Sequence, residues 1–236
     1  TGRRAEILKP LAEELGARTL VVDLADPAAV DALLVEAGEI DILVANAGMP
    51  ASGLLSTFDT PGIDAALAVN LRAPMVLARH YADVFAARGS GHLVFMSSIA
   101  GKVGTPYSSV YSATKFGLRG FAQGLRAEVA DKNIGVSVVF PGFVRDAGMF
   151  ADSGTVLPRG LGTSSPEDVA DAVVSAITKN RGEVDVAPVL IRASAKFAGL
   201  APEVGATLTR LFGGHKVGAD VATGQAKGPR GGTPRA

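Results

Sequence analysis

The 236-residue chain is 47% hydrophobic and 19% charged, a balance that fits one globular domain and excludes general disorder. Its 23 basic and 23 acidic residues cancel, so neither a nucleic-acid-binding footprint nor an acidic tail is present. Cysteine is absent and His80, His92 and His215 share no ligand spacing, which excludes a disulfide framework and thiolate metal sites and predicts no metal.

In chain order, a helix is predicted over residues 4–15, a strand over 19–23, a helix over 27–37 and a strand over 41–45. A long helix over 61–88 follows, then a strand over 92–97, a helix over 110–132 and a strand over 135–140. A helix over 166–179 and a strand over 183–187 close the pattern. Asp26-Pro27 and Ser165-Pro166-Glu167-Asp168 are helix starts, each a capping side chain followed by proline at the first helical position. The strand runs are nearly continuous in apolar residues, as in a sheet covered on both faces, and strand–helix alternation implies parallel strands joined by crossovers. The fold class is α/β, a doubly wound Rossmann-like sheet. Residues 1–188 form its body and 189–212 a helical extension, broken at Pro202. Residues 213–236, rich in Gly, Pro and basic residues, read as a disordered tail. No apolar run reaches the ~20 residues that span a bilayer, and the opening Thr1-Gly2-Arg3-Arg4 lacks the apolar core of a signal peptide. A cytoplasmic protein with no transmembrane segment is expected.

The chemistry centres on Tyr111-Ser-Ala-Thr-Lys115. Residues four apart on a helix share a face, and a lysine ammonium placed there favours the phenolate, lowering a pKa that is otherwise ~10. Such a phenol is a competent general acid or base. Alone, this spacing occurs on any surface helix. Ser98, thirteen residues earlier, follows the apolar run Leu93-Val94-Phe95-Met96, where open α/β sheets bind ligands. Asn46-Ala47-Gly48 follows Ile42–Ala45, with small residues that let a ligand approach the backbone. Asn70 interrupts a helical stretch in which asparagine is a poor former, and Pro141-Gly142 follows the strand ending at Phe140.

Together, Asn46-Ala47-Gly48, Asn70, Ser98, Tyr111-x-x-x-Lys115 and Pro141-Gly142 resemble the short-chain dehydrogenase/reductase family in order and spacing, over roughly residues 2–187. The resemblance implies hydride exchange between NADP(H) or NAD(H) and a carbonyl or secondary alcohol, with Asn70, Ser98, Tyr111 and Lys115 as the catalytic set. Tyr111 would move the substrate proton, Ser98 would bind the same oxygen, Lys115 would hold the nicotinamide ribose, and Asn70 would hold a water. Cofactor contacts would come from Asp23, Leu24, Asn46, Ala47, Gly48, Tyr111, Lys115, Pro141, Gly142 and Val144. Arg3 falls where NADP-preferring relatives carry a basic residue, which favours NADP(H) over NAD(H). A homodimer or homotetramer is also implied, with Gly117, Gly120 and Gly124 permitting close helix approach.

Two departures stand out. The family's glycine-rich turn is missing before Asn46, so the N-terminal β-α-β portion is expected to be absent and the chain to bind dinucleotide poorly. Asp146 stands where the family often has threonine, with Arg145 beside it as a compensating charge. Residues 145–163 read as a substrate-covering loop bearing Met149, Phe150, Val156 and Leu157. The other readings are a dehydratase or epimerase on the same scaffold, told apart by whether NADPH is consumed on substrate addition, and a catalytically silent fragment or interaction protein.

Overall fold

The computed structural model describes residues 1–211 and 213–227. Four parallel strands, β1 (Ile42–Ala45), β2 (Gly91–Met96), β3 (Ile134–Pro141) and β4 (Glu183–Val186), lie side by side in that order. Alternate side chains of a strand point to opposite faces, and here both faces are covered. Leu93, Phe95, Val136, Val138 and Phe140 pack with Tyr81 and Phe85 of α4 (Ala73–Arg88) and Leu118 and Ala122 of α5 (Ser109–Glu128). Val94, Met96 and Val139 turn the other way, onto Ala176 of α7 (Pro166–Thr178). Complete burial of a Phe or Val side chain in such a layer contributes ~1.5–3 kcal/mol. The doubly wound Rossmann-like class read from the sequence is the observed architecture. Among the described residues no strand precedes α1 (Ala5–Leu15) and α2 (Pro27–Ala37).

The helix starts follow their capping chemistry. Asp26 accepts from the Ala28 amide at 2.9 Å, and Ser165 and Asp168 form a reciprocal capping box. Pro202 divides the helical extension into α8 (Val189–Leu200) and α9 (Pro202–Leu211).

Three expectations need correction. Residues 19–23 form no strand. The Gly2 amide donates to Leu20 O at 3.3 Å and Val22 N to Gly2 O at 2.9 Å, one bridge between Gly2 and Val21 that is too short to grow into a ladder. The long helix of 61–88 is three pieces: α3 (Thr60–Leu67), a π-helical turn (Ala68–Arg72) and α4. Asn70 lies within this wide turn, fully buried, and its amide bonds to the Met49 backbone. The supposed disordered tail contains α10 (Gly214–Lys227). Its glycines lie against other backbone: a Cβ on Gly218 would sit 2.5 Å from Pro106 O, and one on Gly224 would collide with Ser153 O. The composition that suggested disorder instead permits close packing. Phe212 and the rest of that segment, 228–236, lie outside the described residues.

Candidate active site

The carboxyl ends of β1, β2 and β3 carry Asn46–Gly48, Ser97-Ser98 and Pro141-Gly142 to one edge of the sheet. Ser98 opens a short 3-10 turn (Ile99–Gly101); its hydroxyl accepts from the Ala100 amide at 3.2 Å and donates to Pro141 O at 3.3 Å. That turn lies directly on α5. Ser97 Oγ donates to Lys115 O at 3.0 Å, and a Cβ on Gly101 would stand only 2.7 Å from the same oxygen. Glycine is therefore what lets the serine-bearing turn meet the helix that carries Tyr111 and Lys115.

On α5 the spacing of four works as expected: Lys115 Nζ lies 5.6 Å from the centre of the Tyr111 ring. The ammonium donates to Met96 O at 2.8 Å and is only 3% exposed. The protonation behaviour departs from the sequence expectation. Desolvation pushes Tyr111 up to about 12, while a hydrogen bond with Ser98 pulls it down. Desolvation also pushes Lys115 down to about 8. The phenol is thus neutral throughout the neutral range. Desolvation of both groups outweighs the attraction that spacing alone suggested.

Asn70 is fully buried. Its Oδ1 accepts from Met49 N at 2.8 Å, and its Nδ2 donates to Met49 O at 3.0 Å and to Thr114 Oγ1 at 3.5 Å. It thereby joins the loop after β1 to α5. Gly48 faces the same point: a Cβ there would lie 3.2 Å from Met149 Cε, 3.3 Å from Asn70 Oδ1 and 3.8 Å from Lys115 Nζ. Met149, in α6 (Gly148–Ala151), brings the expected covering loop to the site.

The outer residues divide into two groups. Gly142 N donates to Val186 O at 2.9 Å, and Val144 pairs with Ser164. Arg145 Nε reaches Asp146 Oδ2 at 3.3 Å, the compensation anticipated there. At the far side Arg3 Nη1 lies 3.8 Å from Asp23 Oδ2, and both side chains are exposed. Leu24, Asn46 and Ala47 line a groove of about 450 Å³ along the free edge of β1. Sequence reasoning missed Ser97, Gly101 and Thr114; only the Ser97-Ser98 doublet gave a signal. It also missed α10, whose Gln225 Nε2 donates to Met149 O at 3.4 Å and whose His215 ring stands 6.2 Å from that of Tyr107. Among the described residues no group of His, Asp and Glu is arranged to hold a metal ion.

Residues 1–156 match the family described as short chain dehydrogenase. The chain belongs to that family. It is 39% identical over 149 residues to the ketoacyl reductase HetN of Nostoc sp., covering 63% of this chain and 52% of that protein. A crystal structure of a putative betaketoacyl-ACP reductase superposes with a TM-score of 0.71 at 29% identity, over 79% of this chain and 83% of that one. A short-chain dehydrogenase from Sphingobium yanoikuyae, in complex with NADPH, gives 0.71 at 26% identity, over 86% and 83%. The chain spans between about half and two thirds of the length of the first curated relatives it matches.

Proposed function

We propose that the protein is an NAD(P)-dependent oxidoreductase interconverting a carbonyl compound and a secondary alcohol, with Tyr111 as general acid and base. The observation that carries this reading is the Lys115 ammonium 5.6 Å from the centre of the Tyr111 ring, on the helix to which Ser97, beside Ser98, is bonded. In the reductive direction Tyr111 gives its proton to the carbonyl oxygen while the Ser98 hydroxyl, turning from Pro141 O, donates to that oxygen and stabilises its developing charge. A nicotinamide dinucleotide, when bound, supplies or accepts the hydride.

The residues present fit such a cofactor around Gly48, where a side chain would fill the space facing Lys115. Lys115 would hold the nicotinamide ribose, and Asn46, Ala47, Pro141, Gly142 and Val144 would line the strand ends beside it. Asp23 and Leu24 would meet the adenosine. Asn70 keeps the Gly48 loop on α5, leaving a lone pair of Oδ1 for a water. Arg3 favours NADP(H), since its guanidinium matches the phosphate oxygens. The groove along β1, with Ile42 and Val44 about two-fifths exposed, would seat a further parallel strand whose glycine-rich turn supplies phosphate donors.

In this reading residues 1–188 are the cofactor-binding and catalytic body, and 189–212 extend it. Among the described residues no helix is long and apolar enough to cross a membrane; a cytoplasmic location is part of this proposal. A homodimer or homotetramer would form across α4 and α5, where nothing lies within contact of a side chain added at Gly120 or Gly124 and Phe116 is 41% exposed. Gly117 is spoken for by Leu71 of its own chain. The test is absorbance-monitored consumption of NADPH and NADH with a panel of ketones. Ketone-dependent oxidation is expected, and substrate conversion without net consumption would contradict the reading.

A further inference from the structure

Lys102 is a buried cation that the proposed chemistry does not use. It is 8% exposed and lies four residues beyond Ser98, at the end of the turn that Ser98 opens. Its ammonium meets Glu183 Oε2 at 2.9 Å and Asp185 Oδ1, both on β4, and stands 3.9 Å from the centre of the Phe140 ring. Arg119 of α5 completes the cluster, its Nε at 2.7 Å and its Nη2 at 3.2 Å from the two oxygens of Glu183. Gln123 adds a third donor to Glu183 at 2.8 Å.

Removing an ammonium from water is costly, and two carboxylates and an aromatic face offset that cost here. A well-packed apolar side chain often gives equal stability in such a place, so stability alone does not account for the network. What the ions add is direction. They fix one point of the turn to β4 and α5 together, while Gly101, a residue earlier, packs against the backbone of Lys115 and Ser97 Oγ bonds to it. Ser98 itself is held by two longer hydrogen bonds, at 3.2 and 3.3 Å.

We infer that Lys102, clamped by Glu183 and Asp185, is a positioning residue that sets the Ser98 hydroxyl toward Tyr111 and the substrate oxygen. The inference rests on the oxidoreductase reading, and it places a requirement for catalysis on an edge strand remote in sequence. Ordering of a hydroxyl donor is felt in the transition state, so its loss lowers kcat more than it raises the cofactor KM.

The test is a double-mutant cycle of Lys102→Met with Ser98→Ala, following kcat at saturating cofactor and correcting for the folded fraction. With Ser98 present, Lys102→Met is expected to lower kcat about tenfold; with Ser98→Ala it is expected to lower it less than about twofold. Equal losses in both backgrounds would overturn the inference. Should Lys102→Met not fold, Asp185→Asn, which keeps the side-chain shape and the Lys102–Glu183 pair, takes its place in the cycle, with about a threefold loss expected only when Ser98 is present. Amide hydrogen exchange separates this inference from the reading beneath it. If the unsubstituted chain turns over no ketone, faster exchange at residues 100–102 in Asp185→Asn, by about tenfold with β2 unchanged, still supports the clamp, and unchanged exchange there refutes it.

Discussion

The two sides of the sheet differ in how fully they are supported. β3 is enclosed, with Val136, Val138, Val139 and Phe140 at most 1% exposed, and it delivers Pro141 and Gly142 to the sheet edge that carries Ser98. β1 has β2 on one edge only, leaves Ile42 43% and Val44 42% exposed, and borders an open groove. The half of the site proposed to transfer the proton is built by the enclosed side. The half that would hold the rest of a dinucleotide depends on the open one.

That contrast can be broken most severely in the core. Phe95→Ala, at a fully buried position of β2, is expected to cost ~3–5 kcal/mol in denaturant unfolding, against under ~1 kcal/mol for Val44→Ala on β1. Comparable losses would mean that the β1 edge is covered in solution.

The next effect is one of pH. The folded chain holds Lys115 at about 8, below its usual 10.5, so it binds that proton less well than the unfolded chain does. Stability is therefore reduced below about pH 8 and recovers as pH rises from 8 toward 10.5, by up to about 3 kcal/mol. Tyr111 works in the opposite sense: its folded phenol keeps its proton up to about 12, so stability falls again as pH rises above 10. Unfolding midpoints across pH 7–11 should rise and then turn over, and Lys115→Met should abolish the rise. A flat profile would contradict the desolvation of the pair.

Smaller still is the cap of α7. Ser165→Ala is expected to cost ~1 kcal/mol, because the capping box loses one of its two reciprocal bonds. The least effect is expected from NADP added to the 236-residue chain. Among the described residues no glycine-rich turn faces the β1 groove, so the cofactor should stabilise the fold by less than ~1 kcal/mol at millimolar concentration. Tight binding in a titration would show that the open side needs no completion.

The sequence made the enclosed side legible because its signals are local. β2 and β3 are apolar on both faces, Ser165 and Asp26 announce their helices, and Tyr111 and Lys115 are separated by one helical turn. Asn70 stood out as a poor helix former, but its partner, Met49, lies 21 residues away, so the wide turn that accommodates it carries no signature of its own. Lys102 and Asp185 are 83 residues apart, and nothing at either position marks the other. The glycines of α10 gave a reading of disorder because composition does not reveal that Pro106 and Ser153 lie against them. Spacing likewise supplied the charge next to Tyr111 but not the desolvation that dominates it.

The central claim is that the Tyr111 hydroxyl moves the substrate proton. Single-turnover reduction of a ketone by Tyr111→Phe, with NADPH in excess, tests it most directly. A fall of ~10²–10⁴-fold with unchanged unfolding behaviour is the predicted result. Turnover equal to that of the unsubstituted protein would contradict it.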